Sequence, residues 1–260
     1  MEIGISSASF YPNVHTENSI SLIKSLGFNC GELFLNSPSE YEENFITNIL
    51  EEKNKNNFNV NSVHSFSSSF EPYLFDSYKR RRDDMLVYFK KVCKAARILG
   101  AKCYTFHGMR FQDFKYLNKK LILEIYDMLT YIALEEGITL AQENVSWCMS
   151  SNIDFLKIIK ESCKYPLGFT LDIKQAYKAG IEPEKYIDIM ERDIINFHIN
   201  DRDDNNVCLL PGKGTVDYKK IFCKLNKIGY NGMGIIEVYS DNYSNYEELT
   251  NVKRFLFNYL

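Results

Sequence analysis

Four residues that can bind a metal ion or transfer a proton lie late in successive apolar segments of this chain. The residues and their segments are Glu143 in ITLAQENV, Asp172 in LGFTLDI, His198 in IINFHIN and Glu237 in MGIIEV. A charged side chain left unpaired in an apolar strand is costly, so one such residue needs a local explanation. Four of them on consecutive segments indicate a single shared site.

Three carboxylates and one imidazole form a ligand set for a divalent cation that keeps open positions for a substrate. Without a cation, the carboxylates would repel one another and some would have to remain protonated. Each residue taken alone has a structural explanation, such as a helix cap for Asp172 or a satisfied core imidazole for His198. Their recurrence favours one bound metal ion per chain, and Mn²⁺, Mg²⁺, Co²⁺ and Zn²⁺ all suit the ligand set.

The segments around these residues belong to a regular alternation of strand-like and helix-like patterns. The predicted strands are Glu2–Ser6, Cys30–Leu35, Asn59–Ser65, Lys102–His107, Ile138–Val145, Leu167–Ile173, Ile194–Asn200 and Gly234–Tyr239. A helical pattern follows each strand, as Pro183–Glu191 follows the sixth. Eight such units predict an α/β fold, a (β/α)8 TIM barrel formed as a single domain over residues 1–260. The carboxyl ends of the strands meet at one face of such a barrel, which would bring the four residues together.

A doubly wound α/β sheet is the other fold that alternates strands and helices in this way. Such a sheet usually carries a glycine-rich phosphate loop after its first strand. Here the first strand runs into Ser6-Ser7-Ala8-Ser9-Phe10, which is no such loop. The barrel is therefore the preferred fold.

Composition and charge limit the partners and the location that the chain is expected to have. The net charge of −3 gives no basic field for nucleic acid. The basic run Lys79–Arg82 is followed at once by Asp83-Asp84 and is read as a solvated helix start. Seven cysteines without CxxC pairs indicate reduced thiols in the cytoplasm, and no segment looks like a signal peptide or a membrane span. A homo-oligomer is compatible with these features.

The chain resembles a known family over nearly its whole length. The matching segments, in order, are LGAK at 99–102, FHG at 106–108, QEN at 142–144, LD at 171–172, FHIND at 197–201, PGKGTVD at 211–217, IGYNG at 228–232 and IE at 236–237. Together they resemble the xylose isomerase-like barrel superfamily. That superfamily holds sugar-phosphate isomerase/epimerase proteins, ketose 3-epimerases, inosose isomerases and hydroxypyruvate isomerase, with endonuclease IV as a cousin.

The resemblance implies roles for the four residues. In the isomerase and epimerase branch, the positions that match Glu143, Asp172, His198 and Glu237 bind one divalent metal, and the two glutamates act as a facing acid/base pair. Metal binding to a hydroxy-carbonyl group acidifies the adjacent C–H and stabilises an enediolate. One carboxylate then removes the proton and the other returns it. The expected substrate is a small sugar, sugar phosphate or cyclitol.

Two departures from the family pattern bear on alternative functions. Where the family often has Asp-x-x-His, this chain has Gln175, which can bond a sugar hydroxyl but is a poor metal ligand. Where the nuclease needs a further Asp-x-His, the chain has Asn206-Val207-Cys208. The nuclease uses a cluster of three zinc ions, and this chain has too few ligands for such a cluster. An endonuclease IV-like DNA repair nuclease is therefore the alternative rather than the preferred function. A catalytically silent sugar-binding barrel is a third hypothesis.

Other residues are expected to face the substrate rather than the metal. The candidates are His64, His107, Gln175, Glu32, Arg202 and Lys213. His64 and His107 end two earlier apolar runs, and Glu32 could orient one of them. Arg202 and Lys213, after the seventh strand, could hold a phosphate or carboxylate. Four aromatic residues could form the walls of a sugar-binding cavity or belong to ordinary packing: Phe10, Phe66, Phe70 and Trp147.

Overall fold

The computed structural model describes residues 1–260, and its eight strands form a closed parallel barrel in which strand order follows chain order. The strands are β1 (Glu2–Ser6), β2 (Cys30–Leu35), β3 (Asn59–Ser65), β4 (Cys103–Phe106), β5 (Thr139–Glu143), β6 (Leu167–Asp172), β7 (Ile194–Ile199) and β8 (Met233–Ile236). The prediction of a TIM barrel is confirmed, and the bounds of the first three strands agree with those predicted.

Helices connect the strands and surround the barrel. They are α1 (Thr16–Ser25), α2 (Glu43–Lys55), α3 (Lys79–Leu99), α4 (Lys119–Glu135), α5 (Ile153–Ser162), α6 (Ile173–Lys178), α7 (Pro183–Met190), α8 (Tyr218–Lys227) and α9 (Tyr246–Leu256). No helix is both long enough and apolar enough to cross a membrane.

Outward-facing strand side chains form the packing layer between barrel and helices. Tyr104 on β4 packs against Phe89 of α3, and Phe197 on β7 packs against Phe222 of α8. These residues belong to one cluster of 60 buried hydrophobic residues. Because helices cover the outside of the barrel, outward-facing strand positions such as Tyr104 and Phe197 are hydrophobic.

The barrel interior below the carboxyl face is polar instead. Asn196 on β7 donates hydrogen bonds to Thr105 on β4 and to Glu32 on β2, each at 3.1 Å. Ser62 on β3 donates to the same Glu32 oxygen at 2.7 Å. Buried polar groups are tolerated when they are hydrogen-bonded to one another, and this layer supports the side chains above it.

The short helix α6 was not predicted from the sequence. It begins directly after β6, because the Asp172 side chain accepts a hydrogen bond from the backbone N–H of Gln175 and so caps it. Six residues are too few to produce a readable helical period, so the sequence pattern predicts the end of a strand followed by a loop. The helix brings Lys174, Gln175 and Lys178 to the carboxyl face of the barrel.

The loop between β7 and α8 is organised by one buried carboxylate. Asp201 accepts hydrogen bonds from the backbone N–H groups of Arg202, Gly212, Gly214 and Val216 at 2.8–3.0 Å. A Cβ atom on Gly214 would lie 2.2 Å from the Arg202 carbonyl oxygen, so only glycine fits this close approach. The conformation of the PGKG segment follows from these contacts.

Candidate metal centre

The four predicted metal ligands lie together at the carboxyl end of the barrel. Glu143 ends β5, Asp172 ends β6, His198 lies in β7 and Glu237 directly follows β8. One ligand atom from each residue lies within 4.8 Å of the others. The parallel register accounts for this convergence, since Asp172 and His198 are direct partners on neighbouring strands. All four residues are buried, Glu237 the least completely.

His198 provides the central contact of this group. Its Nδ1 atom lies 3.5 Å from Glu143 Oε1, 3.6 Å from Asp172 Oδ2 and 3.5 Å from Glu237 Oε2. Nδ1 and the Asp172 Oδ2 atom are both buried without a hydrogen-bond partner. Unpartnered buried polar atoms are rare and need an explanation. A divalent cation among these four side chains would satisfy them and offset the repulsion between carboxylates, so the residues present fit such an ion.

The charges in this group shift one another's ionisation. Burial alone would raise the pKa of Glu143, but the adjacent His107, His198 and His64 rings outweigh it and hold that pKa well below its ordinary value. Burial alone would lower the pKa of His198, but the carboxylates of Glu32 and Glu237 raise it well above its ordinary value. Since a metal ligand must be unprotonated, a cation binding here would displace a proton from His198.

Glu32 lies beneath His198 rather than on the substrate side where the sequence placed it. It is fully buried, and its Oε2 atom lies 3.0 Å from His198 Nε2. Burial alone would raise the pKa of Glu32, but the His198 ring outweighs it and lowers that pKa to about 2. A carboxylate behind a ligating histidine fixes the ring orientation and the nitrogen that faces the metal. The side chain that Glu32 orients is thus His198, a candidate metal ligand, and not His64 or His107.

His64 and His107 lie beside Glu143, and all three residues line one cavity. Their Nε2 atoms are 3.6 Å and 2.8 Å from Glu143 Oε2. The three residues form a second group that could hold a metal ion. Burial alone would lower the pKa of His64, but the carboxylates of Glu143 and Glu32 outweigh it and raise that pKa to about 9.

Glu71, which the sequence analysis did not single out, positions His107. It lies in the loop after β3 and is fully buried. Its Oε2 atom accepts hydrogen bonds from the backbone N–H groups of His107 and Gly108 at 2.8 and 2.9 Å. Tyr104 and Ser65 donate to the other oxygen. In the sequence, the only indication of this role is a carboxylate in a loop that is otherwise rich in serine and aromatic residues. Most of the hydrogen-bond partners of Glu71 are distant along the chain.

Lys174 is the second residue of the site that sequence reasoning missed. Its ammonium nitrogen lies 3.0 Å from Glu237 Oε2 and 3.7 Å from Asp172 Oδ2. Burial alone would lower the pKa of Lys174, but these two carboxylates outweigh it and raise that pKa well above its ordinary value. The signal in the sequence was a lysine two positions after a predicted metal ligand, at the end of an apolar segment.

A cavity of about 380 Å³ opens above this group. Its lining residues are Ala8, Tyr11, Phe34, Asn36, His64, Phe66, His107, Glu143, Trp147, Lys174, Gln175, Lys178, Glu237, Val238 and Tyr239. Gln175 therefore lies where the sequence placed it, with its side-chain oxygen bonded to the N–H and hydroxyl of Ser146. The cavity combines apolar walls with a few converging polar groups, as small-molecule sites do.

Some predicted substrate contacts lie outside this cavity. The Arg202 guanidinium stacks on Tyr177, 4.5 Å from the ring centroid. Lys213 faces Glu248 across 3.9 Å, in a separate surface depression. Of the four aromatic residues considered as cavity walls, Phe66 and Trp147 line it, whereas Phe10 and Phe70 are buried in the core.

A second cavity of about 490 Å³ lies at the opposite, amino end of the barrel. It is bordered by Lys102 before β4, Ile194 at the start of β7 and Gly232 before β8. It contains neither of the two groups that could hold a metal ion. Although it is larger, it is therefore not the candidate site.

The arrangement at the carboxyl face can do two kinds of chemistry. It can hold a divalent cation against the floor of the cavity, and it can exchange protons with a ligand through Glu143 and Glu237, which both line the cavity. Carboxylates positioned in a partly enclosed site are suited to general acid–base catalysis.

Solved structures with this fold include several proteins named for sugar chemistry. A D-tagatose 3-epimerase-like protein is 20% identical, with a TM-score of 0.84 and coverage of 100% of this chain and 97% of that chain. The 3-keto-D-glucoside 4-epimerase YcjR from E. coli is 17% identical, with a TM-score of 0.79 and coverage of 99% of each chain. The IolI protein with a bound zinc atom is 16% identical, with a TM-score of 0.78 and coverage of 99% and 96%. At these identities the likeness shows a shared fold.

Sequence comparison gives the family. No curated protein has a sequence that matches this chain significantly. A family model described as xylose isomerase-like TIM barrel matches residues 20–256, which is most of the chain. The resemblance inferred from the sequence segments is thereby confirmed. This protein belongs to the xylose isomerase-like TIM barrel family.

Proposed function

We propose that this protein is a cytoplasmic, divalent-metal-dependent isomerase or epimerase of a small sugar, sugar phosphate or cyclitol. One observation carries the proposal. The carboxylates of Glu143, at the end of β5, and Glu237, after β8, line the same cavity and belong to the same group of metal-competent atoms. Two carboxylates that reach one ligand from different strands can remove a proton and return it.

Each member of the group has a defined role in this proposal. Glu143, Asp172, His198 and Glu237 would hold the ion. When bound, a divalent cation would supply positive charge that offsets the negative charge developing on the substrate oxygens. Glu32 orients His198 from below, through the 3.0 Å contact with Nε2. Of the three solved structures described above, one is named with zinc and two for epimerases or an epimerase-like protein, which supports the assignment.

Proton transfer is assigned to the two glutamates. One carboxylate takes the proton from the carbon next to the substrate carbonyl, and the electron pair left behind forms an enediolate. If a proton returns to the neighbouring carbon and the hydroxyl proton moves to the former carbonyl oxygen, an aldose and a ketose interconvert. If it returns to the opposite face of the first carbon, the product is an epimer. His107 and Gln175 line the cavity and are the proposed partners of the substrate hydroxyls.

Proton–deuterium exchange tests this function directly. Purified protein loaded with Mn²⁺, Mg²⁺, Co²⁺ or Zn²⁺ is incubated in D₂O with a panel of ketoses and inososes, and C–H exchange is followed by NMR. We expect exchange at the carbon next to the carbonyl for one class of substrate, and its loss in Glu143→Gln. Exchange that survives in Glu143→Gln would contradict the two-glutamate mechanism, and His107 would be the next base to test.

One observation favours the alternative of an endonuclease IV-like nuclease: His64, His107 and Glu143 form a second group that could hold a metal ion. Against it, Gln175, Asn206 and Cys208 stand where further ligands would be needed, and Cys208 is buried. We therefore expect no metal-dependent incision of duplex DNA that contains an abasic site. Robust incision in a nicking assay would reverse the order of the two proposals.

A further inference from the structure

Lys174 and the proposed metal ion are directed at the same two oxygen atoms. The ammonium of Lys174 contacts Glu237 Oε2 and Asp172 Oδ2, and these are the two oxygens that face His198 Nδ1 at 3.5 and 3.6 Å. The Lys174 side chain is only 4% exposed. Its head group also lies 5.0 Å from the centroid of the Tyr239 ring. A lysine this deeply buried is held where it is by the charges that surround it.

The charge balance of the centre explains why a lysine can stand there. Three carboxylates from Glu143, Asp172 and Glu237 face one imidazole, and such crowding is unfavourable unless cations compensate it. The Lys174 ammonium supplies one positive charge from within the chain. A divalent cation and Lys174 together would carry three positive charges, which equal the negative charges of Glu143, Asp172 and Glu237. The fourth carboxylate, Glu32, contacts the other nitrogen of the His198 ring.

We propose that Lys174 is a positioning residue that serves as a built-in counter-cation. It keeps Glu237 and Asp172 in place when no metal is bound, and by repulsion it limits how tightly a divalent cation binds. This inference rests on the metal centre of the proposed function.

Two opposite effects distinguish this role from ordinary packing. Loss of the ammonium should leave the carboxylates of the metal-free protein uncompensated and so destabilise it. The same loss should strengthen metal binding, because like charges a few ångströms apart in a buried site repel strongly. A lysine that acted only through its hydrocarbon stem would stabilise both forms alike and would not change metal affinity.

The test compares Lys174→Met with Lys178→Met as a matched control. Lys178 lies one turn further along α6 and lines the same cavity, but it is exposed, so solvent screens its charge. Tm is measured in excess chelator and in excess Mn²⁺, and Mn²⁺ affinity is measured by competition with a chelating dye. For Lys174→Met we expect Tm in chelator to fall by at least about 5 °C and Mn²⁺ to bind about tenfold more tightly or better. Lys178→Met should match the parent protein in both, and Lys174→Arg should lie closer to the parent than Lys174→Met does.

The outcomes separate this inference from the proposed function, because neither measurement uses a substrate. If the parent protein binds Mn²⁺ and Lys174→Met binds it equally or more weakly, the counter-cation role is wrong while the metal centre stands. If Lys174→Met folds only when Mn²⁺ is present, the inference is supported in its strongest form. A variant that fails to fold even with Mn²⁺ would assign Lys174 to packing and overturn the inference. If the parent binds none of the four proposed ions, the proposed function fails, and an unchanged Tm in chelator would remove the counter-cation role as well.

Discussion

His198 and Glu32 form a buried pair in which Nε2 of the imidazole lies 3.0 Å from Oε2 of the carboxylate. The pair directs the opposite ring nitrogen, Nδ1, towards the three carboxylates of the metal centre. We expect Glu32→Gln to weaken metal binding about 10- to 100-fold, because the ring loses the partner that fixes its orientation and basicity. Metal content by elemental analysis and affinity by titration check this. Ser62→Ala removes another contact to the same Glu32 oxygen, at 2.7 Å, and should leave the affinity near that of the parent protein.

Replacement of either proposed acid/base residue should stop turnover. Glu143→Gln and Glu237→Gln keep the side-chain size, and each is expected to reduce C–H exchange about 10²- to 10⁴-fold. The double variant should lose little more than either single one, because each catalytic cycle needs both carboxylates. Exchange is measured by NMR in D₂O, with metal content determined on the same samples. Gln175→His, a change elsewhere in the cavity, should be milder, and a loss as severe as that of Glu143→Gln would contradict the assigned roles.

Removal of the Glu71 carboxylate should destabilise the protein and disturb His107. Glu71 accepts hydrogen bonds from two backbone N–H groups and two hydroxyl groups. A glutamine in its place would put its NH2 group, which is a donor, against groups that are themselves donors. We expect Glu71→Gln to cost about 1–3 kcal/mol of unfolding free energy, which corresponds to a fall in Tm of roughly 2–12 °C. Tyr104→Phe removes only one of the four donors and should cost less. If the two changes had equal effects, the four hydrogen bonds of Glu71 would not be the source of the stabilisation.

The metal-free protein should lose stability as the pH rises from about 6.5 to about 9. The pKa of His64 is raised from 6.5 to about 9 in the folded chain. The charged form of His64 therefore stabilises the fold fully when the pH lies below the pKa of the unfolded chain. This stabilisation is lost as the pH rises through the pKa of the folded chain, and it amounts to at most about 3 kcal/mol. Tm in chelator across this range is the measurement. His64→Gln should flatten the dependence, and an unchanged slope would assign the effect to other groups.

The metal-competent residues could be predicted because a charge inside an apolar strand contradicts its surroundings. Glu143, Asp172 and His198 each stood out in this way, and the barrel register then places them side by side. The bounds of the first three strands were also readable, since runs such as Cys30–Leu35 end sharply at polar residues. The later strands end one to three residues before their predicted ends. The spacing of apolar residues within a short stretch of sequence indicates both the type of element and its buried face. These features can therefore be predicted from the sequence alone.

The supporting contacts could not be predicted, although Glu32 itself was a candidate, because most of the partners are distant along the chain. Glu71 bonds to His107, 36 residues later, and Glu32 bonds to His198, 166 residues later. Lys174 was hidden in a helix of six residues, too short for a period. The positions of Arg202 and Lys213 depend on the path of the loop after β7, which Asp201 sets through backbone N–H groups. No local pattern encodes such a path.

The wall of the cavity contains the single tryptophan of the chain. The indole of Trp147 is 38% exposed, and its ring centroid lies 5.6 Å from that of His107 in an edge-on arrangement. The indole fluorescence of the whole protein therefore originates beside His107, in the cavity that Glu143 also lines. A sugar that enters the cavity will change the polarity around this one fluorophore, so the emission spectrum reports occupancy without a label or a coupled assay. Candidate ligands can thus be ranked by fluorescence titration before any reaction product is known.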